Sequence, residues 1–120
     1  MESNNQLSFV DRLVKNVPEL ASLLEEHLKD YNEVLPHVFM GDVTRFARFQ
    51  VTGSKLSEQG QLILEVLEEG MLSGNPDLAE LISVSFLENL APARRAGSVV
   101  INSLNPELLK QYKNIASFVP

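Results

Sequence analysis

Cysteine is absent from all 120 residues, which excludes disulfides, thiolate nucleophiles and thiolate metal sites. Tryptophan is absent too, and six Phe and two Tyr supply the aromatic content. No apolar run approaches the ~20 residues that a membrane span requires. The opening "MESNNQLSFV" lacks the basic region followed by an apolar run that marks a secretory signal. These absences predict a cytoplasmic protein without a membrane partner, and no motif calls for a cofactor.

The most informative absence is of positive charge. Between Lys55 and Arg94 there is no Lys or Arg, while Glu58, Glu65, Glu68, Glu69, Asp77, Glu80 and Glu88 all fall there. The formal charge of −6 therefore comes from this one segment. Nucleic-acid binding is disfavoured, because neutralising phosphates needs a basic face. A solvated face that aids solubility and an attraction to a basic protein surface both fit such a segment.

What is present is dense helix punctuation. "NVPELASLL", "GNPDLAELI" and "LNPELLKQY" each place a proline and an acid just ahead of an apolar helical pattern. Pro18, Pro76 and Pro106 suit the first helical position, where the missing N–H costs nothing. Asn75 and Asn105 are placed to cap, and the acids complement the helix dipole. The signatures are unequally spaced, so they mark helix starts and not a solenoid repeat. Helices are expected over residues ~7–16, ~18–31, ~35–51, ~56–72, ~76–90, ~93–103 and ~106–117. "TGSK", "SGNP" and "LAP" are the breaks, and "SVVI" has no partner of comparable length if it is a strand. The fold class is all-α, six to seven short helices in one compact bundle or short α-α superhelix. Residues 1–120 form a single domain, with 1–6 expected to be disordered.

Three helices carry polar residues on the predicted apolar face. At 100° per residue, Leu35, Val38, Phe39, Phe46 and Phe49 form a stripe with Asp42 in its middle and Val43 at its edge. His27 sits near the centre of the stripe Leu20, Leu23, Leu24, Leu28 and Tyr31. Ser85 and Asn89 lie within the stripe Leu78, Leu81, Ile82 and Phe86. An unpaired polar group inside costs roughly 2–7 kcal/mol on transfer, so these four should find partners, most economically each other. Asp42 is expected to accept from backbone N–H groups, Arg45, His27 or Asn89.

A hydrolytic triad is disfavoured, because "SVSFLEN" is mid-helix and lacks the G-x-S-x-G elbow. A metal site is equally weak: His37 and Asp42 do not share a helix face, and "EEHL" offers one imidazole where HExxH needs two. A buried hydrogen-bond network that fixes helix docking is the preferred account, and a small-molecule pocket is the rival. Glu58, Glu65 and Glu69 fall on one side of the fourth helix, and Glu80 on the next is expected to extend that acidic ridge. Arg94 and Arg95 read as an anion or partner contact, or as ordinary surface arginines.

The segments Leu35–Asp42, with Val34 just before, and Leu81–Leu90 resemble those of a family of small uncharacterised bacterial helical proteins. The likeness covers roughly residues 17–115. It implies a bacterial cytoplasmic helical domain in which Asp42, Ser85 and Asn89 belong to signature segments, and it brings no activity. Proteins of this size and composition often serve as immunity partners of secreted toxins, which is an analogy only.

Two functional expectations follow. The preferred one is a non-catalytic protein-binding module, in its most specific form an acidic immunity or antitoxin-like protein covering a basic partner with Glu58, Glu65, Glu69 and Glu80. The alternative is a small-molecule-binding or enzymatic protein with a polar pocket at His27, Asp42, Ser85 and Asn89. An oligomeric scaffold would instead need an exposed apolar patch, for which Leu62, Leu72 and Val84 are the residues to inspect.

Overall fold

Local punctuation places the helices where the sequence predicts them, in a computed structural model that describes residues 4–90 and 95–116. Helix α1 is Asn4–Asn16, and a 3-10 turn, Pro18–Leu20, leads into α2, Ala21–Tyr31. Helix α3 is Pro36–Phe49, α4 Glu58–Leu72 and α5 Pro76–Ile82. A π-helical stretch, Ser83–Leu87, carries α5 without a break into α6, Glu88–Leu90. Helices α7, Arg95–Asn102, and α8, Pro106–Ala116, complete the chain. With α5, the π stretch and α6 as one rod, the described residues form seven helices in an all-α globule. Its radius of gyration, 13.5 Å, is close to the ~14 Å expected of a compact domain this long.

Two details depart from expectation, at the N-terminus and at the "TGSK" break. Helix α1 begins at Asn4, so disorder does not extend to residue 6: Gln6 is buried and its amide donates to the carbonyl of Asp77 at 2.9 Å. The "TGSK" break is a two-residue hairpin turn pairing β1, Val51–Thr52, with β2, Lys55–Leu56. Gly53 adopts φ 64° there, which a residue with a Cβ rarely does. "SVVI" lies within α7.

Capping follows the sequence at Asn75, whose side chain accepts from the N–H of Asp77, and Ser57, not singled out by the sequence, accepts likewise from Gly60. At α8 the cap comes from another helix. The two carboxylate oxygens of Glu68 accept from the N–H groups of Glu107 and Leu108, both at 3.0 Å. This satisfies orphan donors and places negative charge at the positive end of the helix dipole.

The core lies between α1, α3, α4 and the α5–α6 rod, with Phe39, Met40, Ile63, Leu67, Leu81, Ile82, Phe86 and Leu90 fully enclosed. Each such side chain contributes about 1.5–3 kcal/mol by leaving water. Helix α4 passes close to its neighbours at Gly70, where a Cβ would stand 2.8 Å from Ile82 Cδ1 and 2.9 Å from Phe9 Cε1.

Helix α3 turns a different face inward from the one its stripe suggested; α2 keeps most of its predicted face, with Leu20 and His27 buried and Leu23 and Leu24 half-buried. Helix α3 buries Pro36, Phe39, Met40, Val43, Thr44 and Ala47. Val38 and Phe49 are exposed, Phe49 to 85%. The buried face is thus rotated by roughly a third of a turn from the predicted one. On α2 His27 is buried, whereas Leu28 and Tyr31 are exposed. The apolar stripe of α3 is real, but much of it faces out.

Candidate functional site

The corner between α2 and α3 is set by a left-handed residue and an imidazole. Asn32 takes φ 61° after α2, and its N–H donates to the carbonyl of Leu28 at 2.8 Å. Asparagine tolerates this conformation better than most residues with a Cβ. Three residues later the chain is extended at Leu35, and Pro36 opens α3. The N–H of Leu35 donates to His27 Nε2 at 2.9 Å. A nitrogen that accepts here leaves the proton of a neutral ring on Nδ1. That Nδ1 is buried and has no partner. The ring packs against Tyr31 and Phe39, with centroids 4.8 and 5.7 Å away.

On the outer side of this corner runs a groove of about 320 Å³, lined by Leu23, Glu26, His27, Asp30, Asp42, Arg45, Phe46 and Phe49. Positions 23, 26, 27 and 30 recur at helical spacing along α2, and 42, 45, 46 and 49 along α3. Asp42 is partly exposed and pairs with Arg45, one turn along its own helix. Among the described residues, the carboxylates of Glu26 and Asp30 have neither an ion-pair nor a hydrogen-bond partner. The groove therefore presents two unpaired carboxylates and a loosely held third beside leucine and phenylalanine surface.

Ser85 and Asn89 lie elsewhere, across α3 from Asp42. Ser85 Oγ is 2.5 Å from Nδ1 of His37, whose Nε2 is 3.5 Å from Glu80. The carbonyl of Ser85 accepts from Thr44 Oγ1 at 3.1 Å and from Asn89 Nδ2 at 2.7 Å. The guanidinium of Arg48 donates to the carbonyl of Asn89.

So His27, Asp42, Ser85 and Asn89 do not form one cluster. His27 and Asp42 share the α2–α3 groove, while Ser85 and Asn89 bond around the far side of α3. The π stretch accounts for Asn89. The N–H of Glu88 reaches back five residues to Ser83 instead of four. One extra residue in the turn rotates everything after it, so Leu90 is buried where uniform periodicity put Asn89, which is exposed.

The acids are also divided. Glu58, Glu65, Glu69 and Glu80 are all exposed. Glu69 pairs with Arg12 of α1, and Glu80 faces His37 of α3. Glu65 lines a shallow groove with Gln61, Leu64, Ser103 and Asn105. Glu80 is thus engaged toward α3, while Glu58 and Glu65 on α4 have no partner among the described residues. Leu62, Leu72 and Val84 are exposed. Arg94 and the side chain of Arg95 lie outside the described residues. Thr44, Glu26 and Asp30 were missed by sequence reasoning, His37 was weighed only as a metal ligand, and Phe49 was placed on an inward stripe. Only the helical spacing of Leu23, Glu26 and Asp30 carried a signal for any of them.

Among the described residues no three His, Asp or Glu side chains converge as a metal site, and no helix is long and apolar enough to cross a membrane.

A family model described as a domain of unknown function, DUF7674, matches residues 10–119. The chain belongs to this family. The DUF7674 match takes in every helix from α2 to α8 and both sides of α3 just described. No curated protein and no solved structure matches the chain.

Proposed function

We propose that the chain is a non-catalytic protein-binding module for a basic partner, with a cytoplasmic immunity or antitoxin-like role as its most specific form. The observation that carries the proposal is the outward stripe of α3. There Val38, Asp42, Phe46 and Phe49 put large apolar side chains and a carboxylate on the surface. A residue such as Phe49, 85% exposed, gains nothing from the fold but would gain from being covered. Exposed Glu58 and Glu65 in the base-free segment add long-range attraction. Such charge acts mainly on association rate and partner choice. The test is co-purification of the full chain from its source cell, followed by affinity measured against ionic strength. A basic partner whose binding weakens as salt rises is expected; a neutral or acidic partner, or salt-independent affinity, overturns the proposal.

A second reading, hydrolysis, has one observation in its favour: the chain of contacts from Ser85 through His37 to Glu80. A nucleophilic serine needs an accessible oxygen and an oxyanion site beside it. Ser85 is 6% exposed and lies within a continuous helical rod. A fluorophosphonate probe decides: labelling lost in Ser85→Ala would establish the hydrolytic reading, and no labelling is expected.

A further inference from the structure

Resting on the protein-binding reading, we infer that the groove between α2 and α3 docks a partner segment in which Lys or Arg neighbours a large apolar side chain. The apolar side chain packs on Leu23, Phe46 and Phe49, and the cation sits among Glu26, Asp30 and Asp42.

Three observations select this occupant. The first is charge. The lining holds three carboxylates against the one guanidinium of Arg45, which is already committed to Asp42. A cation brought between Glu26 and Asp30 meets carboxylates with no internal partner among the described residues, so no existing pair must break. Three acids of the base-free segment are already engaged: Glu68 caps α8, Glu69 pairs with Arg12 and Glu80 faces His37. Glu58 and Glu65 on α4 are equally free, but the groove alone among these sets its unpaired carboxylates beside the almost fully exposed Phe49.

The second is the apolar lining. Leu23 and Phe46 are half-buried, whereas Phe49 stands almost clear of the protein. A wholly hydrophilic basic segment would leave Phe49 uncovered. A mixed one covers it, and a central aromatic anchor with polar surroundings is the arrangement that concentrates binding energy.

The third argues against a second copy of this chain. A symmetric interface would set the same acidic patch on both sides. It would bring Glu26, Asp30 and Asp42 against their own equivalents, and like charges so placed repel.

The test selects a display library of randomised twelve-residue peptides on the full chain and measures the affinities of the enriched peptides. Enrichment of Lys or Arg beside Leu, Phe or Trp is expected. Phe49→Ser should weaken those peptides at least tenfold without lowering the melting temperature, since Phe49 supports no core contact. The double variant Glu26→Lys/Asp30→Lys should weaken them at least tenfold and flatten the salt dependence. Basic peptides indifferent to these changes but lost with Glu58→Lys/Glu65→Lys would overturn the groove while leaving the protein-binding reading standing. Enrichment of no basic peptide would overturn the inference, and a basic partner recovered from the source cell would still uphold the broader reading. A dimer in sedimentation that Phe49→Ser disperses would overturn it in favour of self-association.

Discussion

The N–H of Leu35 donates to Nε2 of His27 over 2.9 Å, and this bond holds the end of α2 to the start of α3. Both walls of the acidic groove hang from that corner. His27→Ala should therefore cost about 2–4 kcal/mol, from the cavity beside Phe39 and the N–H left without its acceptor. His27→Gln, which keeps an acceptor, should recover part of the loss. Urea denaturation of the three proteins measures it, and a loss below ~0.5 kcal/mol for alanine would detach the corner from this bond.

Asp42 should behave differently. Its partner Arg45 is exposed and lies on the same helix. Exposed pairs contribute roughly 0–1 kcal/mol, so Asp42→Asn should leave the melting temperature nearly unchanged. A loss above ~2 kcal/mol would mean that Asp42 belongs to a buried network after all.

The carboxylate of Glu68 links α4 to α8 through two backbone N–H groups. Glu68→Ala should cost about 1–2 kcal/mol, in the range of other lost helix caps. The loss should be local first. Hydrogen exchange should accelerate at the amides of Glu107 and Leu108 before it does in α4, and uniform acceleration would refute the cap.

Gly70 marks a close approach of α1 and α5 to α4. Gly70→Ala would gain about 1 kcal/mol of helix propensity. Against this, the new Cβ meets Ile82 and Phe9 below 3.0 Å. Overpacking of this kind costs about 1–3 kcal/mol, so the net change should be neutral to destabilising by up to ~2 kcal/mol. Thermal melting checks the sign, and a clear gain in stability would show that Phe9 can step aside.

Much of the local structure was legible because its causes are local. Pro76 with Asn75 before it caps and opens α5 as its residue types require. The site was less legible, for two separate reasons. On α3 the apolar residues occupy two faces, Phe39, Met40, Val43 and Ala47 on one and Val38, Phe46 and Phe49 on the other. Periodicity alone does not choose between them. In the α5–α6 rod, nothing in "LISVSFLENL" announces the extra residue that moves Asn89 outward. Asp42 looked like a buried partner of His27 because the α3 stripe was assumed to face in.

By itself the sequence determined an all-helical chain, its helix starts and a base-free acidic stretch, since capping, proline geometry and charge act over a few residues. Only the tertiary structure decided which face of α3 meets the core. That choice depends on how Phe39 and Met40 fit against the other helices, which is a matter of packing shape and not of local preference.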